Sequence, residues 1–572
     1  MKKTILAVAA MATAMTMTAN VHYVTQGGTG DGTSWQNAMG NLQAAIDQAQ
    51  PGDEVWVAQG TYRPDSLIRS NKPTSRTFFL KDGVSLYGGF AGYEQSKDER
   101  EMPTDGKPYS FAHATILSAD DDVPDTWQRA IAEGTSYRYT WLTDNDALEV
   151  PGTHANGTHV LYCAETIVNP TEINGFTLTG ANANVWQTKA WGGALYAQGN
   201  VQLRRCMVME NSAYFAAQST TDSNTYGGAV FLYSDGEGVI EDCLFARNYA
   251  HSSYGNGLGG AVYARKCSIR NCVFVDCVAD DGGALYNNGG TVENCYFGDC
   301  YASGGGALFN NGNATGITVM SCRGLLGGGI YNYNGRLTNA IVTNCYADAP
   351  EYGETMGGRG GGILLLDGAV VNAAVCNNTA FWGGGIYVAG SGKVVNTTAQ
   401  RNAIRANAEA DTANVGMVHH ELEATTVLNS IYLEAEGSNF ESAPSCRGIA
   451  TTDDELIQIG NASWALTAGS EFIDAGTVAA GFEVDTDLAG NARIAGSAID
   501  RGAYEYQAHQ PIVPGDVTGD GLVDIADVNA VINVMLGKAP SEQVQAASDV
   551  TGDGQVDIAD VNAVINIMLG KN

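Results

Sequence analysis

A short glycine-rich phrase repeats eight times between Trp191 and Ala389 and constrains the fold more than any other feature. Its first copies read Gly-Gly-Ala-Leu-Tyr at 192–196 and Gly-Gly-Ala-Val-Phe at 227–231, and the last three end in Gly-Gly-Ile. Successive copies are separated by 35, 32, 23, 23, 22, 33 and 23 residues. A strand-like segment that recurs every 20 to 30 residues or so is typical of a solenoid, because one unit cannot bury its own apolar face. The spacing predicts a right-handed parallel β-helix whose longer intervals carry loops of about ten extra residues.

Two further series of residues repeat in step with the glycines. One is a cysteine series with spacings of 23, 22 and 23 residues, made of Cys277, Cys300, Cys322 and Cys345. The other directly follows the aromatic residue of the phrase and is made of Asn287, Asn310 and Asn332. Equivalent residues of stacked coils lie about 4.8 Å apart. We therefore predict ladders of like side chains, in which each asparagine amide bonds the next.

Charge and cysteine usage limit the partners and the redox state. The chain has 30 Lys and Arg against 62 Asp and Glu, a net charge of −32, which disfavours nucleic acid and anionic membranes as partners. Ten of the twelve cysteines lie between Cys206 and Cys376, most of them at repeat positions. Small apolar side chains suit such positions, so we expect buried free thiols, with Cys267 and Cys272 as the candidate for a local disulfide.

The N-terminus has the features of a bacterial signal peptide. Lys2 and Lys3 precede an apolar run from Ile5, and small residues end near Ala19. No later stretch has the length and composition of a membrane helix. We therefore expect a bacterial protein that is secreted, extracellular or held at the cell surface, and that is a monomer.

The chain divides into several parts. Apolar residues at helical spacing follow Asn41 and stop at Pro51, which predicts one amphipathic helix that covers the open edge of the first coil. The predicted parts are a signal peptide (1–20), the β-helix (21–506) with an irregular insertion (91–158) and regular repeats (191–389), a linker (507–514) and a small α-helical domain (515–572).

Two acidic loops near the C-terminus repeat with an offset of 33 residues. Each has oxygen-bearing residues at positions 1, 3, 5, 7, 9 and 12 and a glycine at position 6. Oxygen ligands at this spacing select calcium, so we predict two calcium ions in this domain. The expected ligands are Asp516, Thr518, Asp520, Leu522, Asp524 and Asp527 in the first loop, and Asp549, Thr551, Asp553, Gln555, Asp557 and Asp560 in the second.

The paired loop-helix repeats over 515–572 closely resemble a type I dockerin, because position 12 is Asp rather than Glu and no helix-length segment precedes the first loop. The resemblance implies calcium-dependent binding to a cohesin module. It also implies that loop positions 10 and 11, here Ile525, Ala526, Ile558 and Ala559, choose the cohesin. Because the two copies match, the resemblance implies two related binding orientations. A calcium-stabilised C-terminal module without a partner is the alternative.

Other segments resemble known β-helix proteins. The Gly-Gly-Ala phrase, with Phe245 to Asn248, is similar to the repeats of polymorphic outer-membrane adhesins. Two parts of the chain resemble a group of secreted bacterial right-handed β-helix proteins: the opening, with Trp35, 52–57, 60–62 and 87–90, and the closing coils, with 473–476, 487–493 and 499–506. These resemblances imply the fold more than an activity.

Two sets of β-helix residues are candidates for glycan chemistry. Strand alternation turns the aromatic residue of each phrase outward, where it would stack on sugars or pack on its neighbours. Asp276 and Asp299 lie one coil apart and would act as an acid-base pair or form a calcium-bridged or solvated surface pair. The candidate stacking residues are Tyr196, Tyr263, Tyr286, Tyr331 and Tyr387.

Together these features predict a secreted β-helix protein that engages or degrades a glycan. A calcium-dependent dockerin-cohesin interaction would tether it to an extracellular assembly. No catalytic signature decides whether it is an enzyme; if it is one, we expect a polysaccharide lyase or a glycoside hydrolase. The alternatives are a non-catalytic surface adhesin and a structural β-helix with a calcium-stabilised C-terminal module.

Overall fold

A computed structural model describes the chain from residue 19 to residue 569, apart from several gaps. The predicted signal peptide falls outside this range except for its last two residues. The gaps are 103–106, 128, 131–139, 142–149, 185–189, 216–222, 349–356, 401, 407–409, 415–416, 421–425, 433–446, 449–455, 460–462, 467–469, 471, 508–514, 519–522, 524 and 539–546.

The main body is a right-handed parallel β-helix, as predicted, because each coil adds one strand to each of several parallel stacks. In the first stack, Leu195 pairs with Val230, Val230 with Val262, and Val262 with Leu285. The strands of this stack follow the glycine phrase or its equivalent: Arg76–Phe79, Leu161–Tyr162, Leu195–Arg204, Val230–Tyr233, Val262–Arg265, Leu285–Glu293, Leu308–Met320, Ile330–Asn332, Ile363–Leu365, Ile386–Ala389 and Met417–His420.

A second stack follows in each coil, and the long strands of the first stack continue into it. Its own strands are Val21–Val24, Glu54–Ala58, Ser85–Phe90, Ile167–Asn174, Val239–Glu241, Ser268–Arg270, Arg336–Thr343, Ala369–Cys376, Lys393–Gln400 and Thr426–Leu428. The third stack comprises Gly60–Tyr62, Thr115–Ser118, Phe176–Thr179, Met207–Met209, Leu244–Ala246, Val273–Val275, Tyr296–Gly298, Ile431–Tyr432 and Arg447–Gly448. Thr115–Ser118 is thus a regular strand of the solenoid, although it lies in the segment predicted to be an irregular insertion.

Shorter strands complete the coils. A fourth stack contains Asn182–Ala183, Ser212–Phe215, Tyr249–Ser252, Arg323–Gly324, Tyr346–Ala347, Thr379–Ala380 and Ala403–Ala406, with Ala410–Asn414 antiparallel to the last of these. Thr225–Tyr226 pairs with Gly257–Leu258. The remaining strands form antiparallel pairs: Ser66–Leu67 with Arg76–Phe79, Arg129–Ala130 with Thr140–Trp141, and Leu456–Ile459 with Ser463–Leu466. Single 3₁₀ turns lie at Trp35–Asn37, Lys97–Glu99 and Thr153–Ala155.

The core fills the inside of the solenoid with one set of apolar side chains per coil. Leu195 and Ala197 point into this core, whereas Tyr196 between them belongs to a separate outer cluster. Phe274 stacks between Phe245 and Phe297, with ring centroids 4.8 Å away on both sides and nearly parallel planes. The core is therefore a continuous column of ladders, as the predicted strand alternation requires.

The two glycines of the phrase are needed for different reasons. Gly227 has a φ of 65°, in the left-handed region that glycine adopts at little cost. Gly228 sits where a Cβ would lie 2.1 Å from the carbonyl oxygen of Gly260 in the next coil. The first glycine thus turns the chain, and the second lets neighbouring coils approach.

The predicted side-chain ladders are present. Asn287 donates from Nδ2 to Oδ1 of Asn310 at 2.8 Å, and Asn310 donates to Asn332 at 2.7 Å. These amides are buried, so the ladder satisfies polar groups that water does not reach. All eleven cysteines in the described residues are buried and outside disulfides, including Cys267 and Cys272, so the structure shows the expected buried thiols and not the candidate disulfide.

Both ends of the solenoid are covered. Helix α1 (Leu42–Gln48) begins at Asn41, whose side chain accepts a hydrogen bond from the Ala44 amide, and it buries Leu42 and Ile46 against the first coils. At the other end, Arg493 forms a buried ion pair with Glu505 at 3.0 Å. Asp474, Asp487 and Asp500 accept backbone hydrogen bonds around it and so form a structural polar network.

The described residues of the C-terminal domain include two complete helices, α2 (Ile525–Met535) and α3 (Ile558–Met568). They pack through matching buried valines, Val528 and Val531 of α2 with Val561 and Val564 of α3. No helix in the described ranges of the chain is long and apolar enough to cross a membrane.

Candidate functional site

The second acidic loop is folded by hydrogen bonds to its own carboxylates. Asp549 accepts from the amides of Asp553 at 3.0 Å and Gly554 at 2.8 Å. Asp560, the last residue of the loop, accepts from the amides of Thr551 at 2.9 Å and Asp557 at 2.8 Å. These bonds wrap the loop around its acidic side chains and join its beginning to the first turn of α3.

Asp560 is buried at the junction of loop and helix. Burial alone raises the pKa of its carboxyl, but the amide donors of Asp557 and Thr551 outweigh that effect and lower the pKa. Asp557 is the N-cap of α3, and it forms a reciprocal capping box with Asp560. The second loop therefore holds an ionised carboxylate in a fixed position before any ligand is considered.

The described residues of the first loop are arranged in the same way. The Thr518 amide donates to Oδ1 of Asp527 at 2.8 Å, and Asp527 is buried as Asp560 is. Asp516 lies at the start of the same loop and is half-buried. The predicted ligands Asp520, Leu522 and Asp524 lie outside the described residues.

The donor chemistry of the second loop fits calcium. Asp549, Asp553, Asp557 and Asp560 offer carboxylate oxygens, Thr551 offers a hydroxyl and Gln555 offers a backbone carbonyl, which are the hard ligands this ion prefers. Within the described part of the chain, no three His, Cys, Asp or Glu side chains converge closely enough to form a metal site. The twelve ligand assignments therefore stay predictions.

The residues at loop positions 10 and 11 are exposed in both copies. Ile525 and Ile558 each expose 61% of their surface, and Ala526 and Ala559 are also exposed. Leu536 and Leu569, which directly follow the C-terminal ends of these helices, are also exposed. Large apolar side chains that remain exposed at equivalent positions of two copies are typical of an interaction surface.

The outward aromatic residues of the β-helix form a continuous stack. From the ring of Tyr162 to that of Phe309, successive centroids lie 4.4 to 5.7 Å apart with planes within 24° of parallel. Tyr196, Tyr263 and Tyr387 are buried, and Tyr286 and Tyr331 are half-buried. The rings therefore cover much of each other's faces, as the packing alternative describes, and sugar stacking stays a prediction.

Asp276 and Asp299 occupy equivalent corners of adjacent coils. Both have left-handed backbones, with φ of 58° and 53°, and each donates its amide to a carbonyl of the next coil. Asp276 is half-buried and Asp299 is exposed. The two lie one coil apart, but their acid-base role stays a prediction.

A different acidic group is in a more unusual setting. Asp281 lies against aromatic rings, where burial and the neighbouring Asp280 charge raise the pKa of its carboxyl to about 6. Asp280 itself pairs with Nδ1 of His251 at 3.0 Å and accepts the Gly257 amide. In the sequence, the only sign of this acidic group is the pair of adjacent aspartates, because the residues that contact it, such as His251 and Gly257, come from another coil.

The fold and the two loop-helix copies define a modular protein, a parallel β-helix followed by a calcium-loop docking domain. Residues 514–569 match the type I dockerin domain family, so the chain ends in a type I dockerin domain. Domains of this type bind calcium, and proteins that carry them are typically parts of extracellular or cell-surface assemblies. No curated protein matches the chain in sequence.

Several solved β-helix structures are similar to the chain. A pectate lyase, Pel9A, is 14% identical, with 86% of this chain and 97% of that one covered and a TM-score of 0.33. A rhamnogalacturonan lyase is 14% identical, with 74% and 84% covered and a TM-score of 0.26. The catalytic unit of a GH87 α-1,3-glucanase from Streptomyces thermodiastaticus is 11% identical, with 74% and 69% covered and a TM-score of 0.32. TM-scores this low carry no argument about activity, and the fold assignment rests on the strand pairing itself.

Proposed function

We propose that this protein is a glycan-engaging or glycan-degrading β-helix that a calcium-dependent dockerin-cohesin interaction tethers to an extracellular assembly. The observation that supports the tether best is the pair of matching exposed surfaces at Ile525-Ala526 and Ile558-Ala559. In a domain that serves only as a structural cap, we would expect side chains at these positions either to be buried against the β-helix or to be polar residues. Two equivalent apolar surfaces instead favour a partner that binds either copy.

Each loop would hold one calcium ion, and the second shows how the chain prepares for it. Asp549, Asp553, Asp557 and Asp560 would supply carboxylates, with Thr551 and the Gln555 carbonyl completing the set. The ion supplies positive charge that offsets the repulsion of four clustered carboxylates. Asp557 and Asp560 also fix the start of α3, so the state of the loop determines where Ile558 and Ala559 are presented.

The tether is tested by measuring the binding of the full chain to a panel of type I cohesin modules, with calcium and with a chelator. Ile525→Asp and Ile558→Asp are made singly and together. If either copy docks, each single variant keeps binding within about tenfold and the double variant loses it. Val168→Asp, which changes an exposed apolar residue on the β-helix, is the matched control. Binding that persists in the double variant would refute the proposed surface.

The glycan part is tested by incubating the protein with plant, algal and host polysaccharides and following the products by mass spectrometry. New oligosaccharides would show an enzyme, and their masses would separate hydrolysis from elimination. Asp276→Asn and Asp299→Asn should then lower the rate if the pair does acid-base chemistry. Retention of unchanged polymer, with both variants behaving as the parent, would favour the adhesin.

A further inference from the structure

One column of residues on the β-helix surface directly precedes the first glycine of each phrase. These residues bridge from coil to coil along one edge of the solenoid. We call them the edge column; its members are Trp191, Tyr226, Leu258, Asp281, Gly304, Leu326, Arg359 and Trp382. The edge column runs beside the outward aromatic stack, so its side chains lie over those rings.

In the first coils the edge column supplies rings that cover the aromatic stack. Trp191 packs on Phe231 with centroids 4.7 Å apart, and Tyr226 packs edge-on against Tyr263 at 4.8 Å. Phe231 and Tyr263 are accordingly buried. Two coils further on the cover is missing, because the column places a carboxylate at Asp281 and no side chain at Gly304.

The Asp281 carboxyl leans over Gly304 toward Tyr331. A Cβ on Gly304 would lie 2.3 Å from Oδ1 of Asp281 and 3.4 Å from Cδ1 of Tyr331, so all three groups meet at this point. Oδ2 accepts a hydrogen bond from Nδ2 of Asn256 at 2.9 Å. Oδ1 accepts none from the described residues, although it lies close to the Tyr331 ring.

The rings here are more open than those under Trp191 and Tyr226. Tyr286 and Tyr331 are half-buried, and Tyr331 tilts 56° from Phe309, which ends the regular stack. The next coil has Leu364 in place of an aromatic residue, so the ladder of equivalent rings ends at Tyr331. The ring of Tyr333 lies beside this end, with centroids 6.0 Å from Phe309 and 6.3 Å from Tyr331. An uncovered aromatic surface beside a free carboxylate oxygen is the combination that sugar rings bind, by CH contacts to the face and by hydroxyl donors to the acid.

We propose that a neutral sugar unit binds over Tyr331, where Gly304 supplies no side chain of the kind that Trp191 and Tyr226 place over Phe231 and Tyr263, and donates a hydroxyl hydrogen bond to Oδ1 of Asp281. The proposal rests on the proposed glycan function and names its site and ligand class. Asp280 and Asp281 disfavour a uronate at this position by charge. The nearest cation of the edge column is Arg359, three coils or about 14 Å away.

Burying a carboxyl among rings is unfavourable unless something offsets it. The raised pKa of Asp281 and the raised pKa of Tyr286 and Tyr331, to which burial contributes first and the Asp281 charge next, are consistent with that cost. Leu258 and Leu326 show that the fold accepts leucine in this column. Leucine would therefore pack at this position, whereas the Asp281 carboxylate, whose Oδ1 lies beside the Tyr331 ring, offers a polar contact to a ligand.

The test is affinity electrophoresis of the full chain in gels that contain xyloglucan, galactomannan, mixed-linkage β-glucan or polygalacturonate. The variants use residues that the solenoid already accepts: Asp281→Leu copies Leu258, and Tyr331→Leu copies Leu364. The matched controls are Asp242→Asn at another left-handed corner and Phe231→Leu inside the covered part of the stack, two positions that are not among the candidate glycan residues. Circular dichroism and the thermal transition confirm that each variant folds.

We expect at least one neutral polysaccharide to retard the parent chain, and both Asp281→Leu and Tyr331→Leu to weaken that retardation at least tenfold while the controls do not. Retardation that survives both variants would overturn this site and leave the proposed function standing. A preference for polygalacturonate would overturn the neutral ligand class. If no polysaccharide retards a chain that still binds cohesin, the glycan function fails, and this inference fails with it.

Discussion

The β-helix and the dockerin domain both repeat a short unit, but the repeats are stabilised differently. Each coil of the β-helix adds buried apolar side chains to a continuous core, such as the stacked rings of Phe245, Phe274 and Phe297. The dockerin domain has two copies only, and its small core is mainly valine, with Val531 and Val564 fully buried. Its loops are instead organised by carboxylates. Repetition therefore builds a self-sufficient core in one region and a pair of ion-binding loops in the other.

The two regions also treat buried carboxyl groups in opposite ways. In the β-helix, burial beside rings and the Asp280 charge raise the pKa of Asp281 to about 6. In the dockerin domain, backbone amides overcome burial and lower the pKa of Asp560. Ionisation of Asp281 thus destabilises the fold as the pH rises through 4 to 6. Ionised Asp560 stabilises the fold at neutral pH, and this contribution is lost as the pH falls below the ordinary pKa of an aspartate and through the lowered pKa of Asp560.

The largest expected effect separates the two regions by calcium removal. A chelator should unfold the dockerin domain, because four carboxylates in each small loop lose the charge that offsets their repulsion. Calorimetry of the full chain should show the loss of one transition, with the β-helix transition shifted by less than about 2 °C. Loss of both transitions would mean that the β-helix also depends on the ion.

A core substitution should act on the other region. Phe274→Ala removes a ring from the middle of the aromatic column, and we expect the β-helix to lose about 3 to 5 kcal/mol of unfolding free energy. Phe274→Leu is the matched control and should lose less than half of that. The measurement is denaturant unfolding followed by β-sheet circular dichroism, and a loss below about 1 kcal/mol would contradict the continuous core.

A smaller effect tests the raised pKa of Asp281 in the β-helix. A rise from 3.8 to about 6 corresponds to about 3 kcal/mol, and screening of this half-buried group reduces the expected effect to about 2 kcal/mol. Asp281→Asn should therefore stabilise the β-helix by about 2 kcal/mol at pH 8 and change little at pH 3.5, where Asp281 is protonated. Unfolding curves at the two pH values measure the difference. An equal effect at both would show that charge is not the cause.

The smallest effect concerns the exposed surface of the dockerin domain. Ile525→Ala should change the stability of the calcium-loaded domain by less than about 0.5 kcal/mol, because the side chain is mostly in water. Val531→Ala, on the buried face of the same helix, should cost about 2 kcal/mol. Thermal unfolding of the two variants compares them directly. A similar loss for both would mean that Ile525 supports the fold rather than a partner.

Much of this molecule is fixed by the sequence alone, because its units are periodic. The spacing of the glycine phrase determines the β-helix, and the spacing of Asn287, Asn310 and Asn332 determines a hydrogen-bonded ladder, since equivalent residues of stacked coils must meet. The acidic loops likewise have their ligands within twelve residues, so their chemistry can be predicted locally. Periodicity also predicts the outward direction of Tyr286 and Tyr331.

Only the tertiary structure decides which outward side chains are covered. Trp191 covers Phe231 and Tyr226 covers Tyr263, whereas Asp281 and Gly304 leave Tyr331 open, and these contacts join different coils with loops of unequal length between them. The pKa of Asp281 follows from the same contacts and not from its sequence neighbours alone. Sequence spacing thus determined the ladders, because they repeat, and the tertiary structure decided the candidate site, because it lies where the repeat is broken.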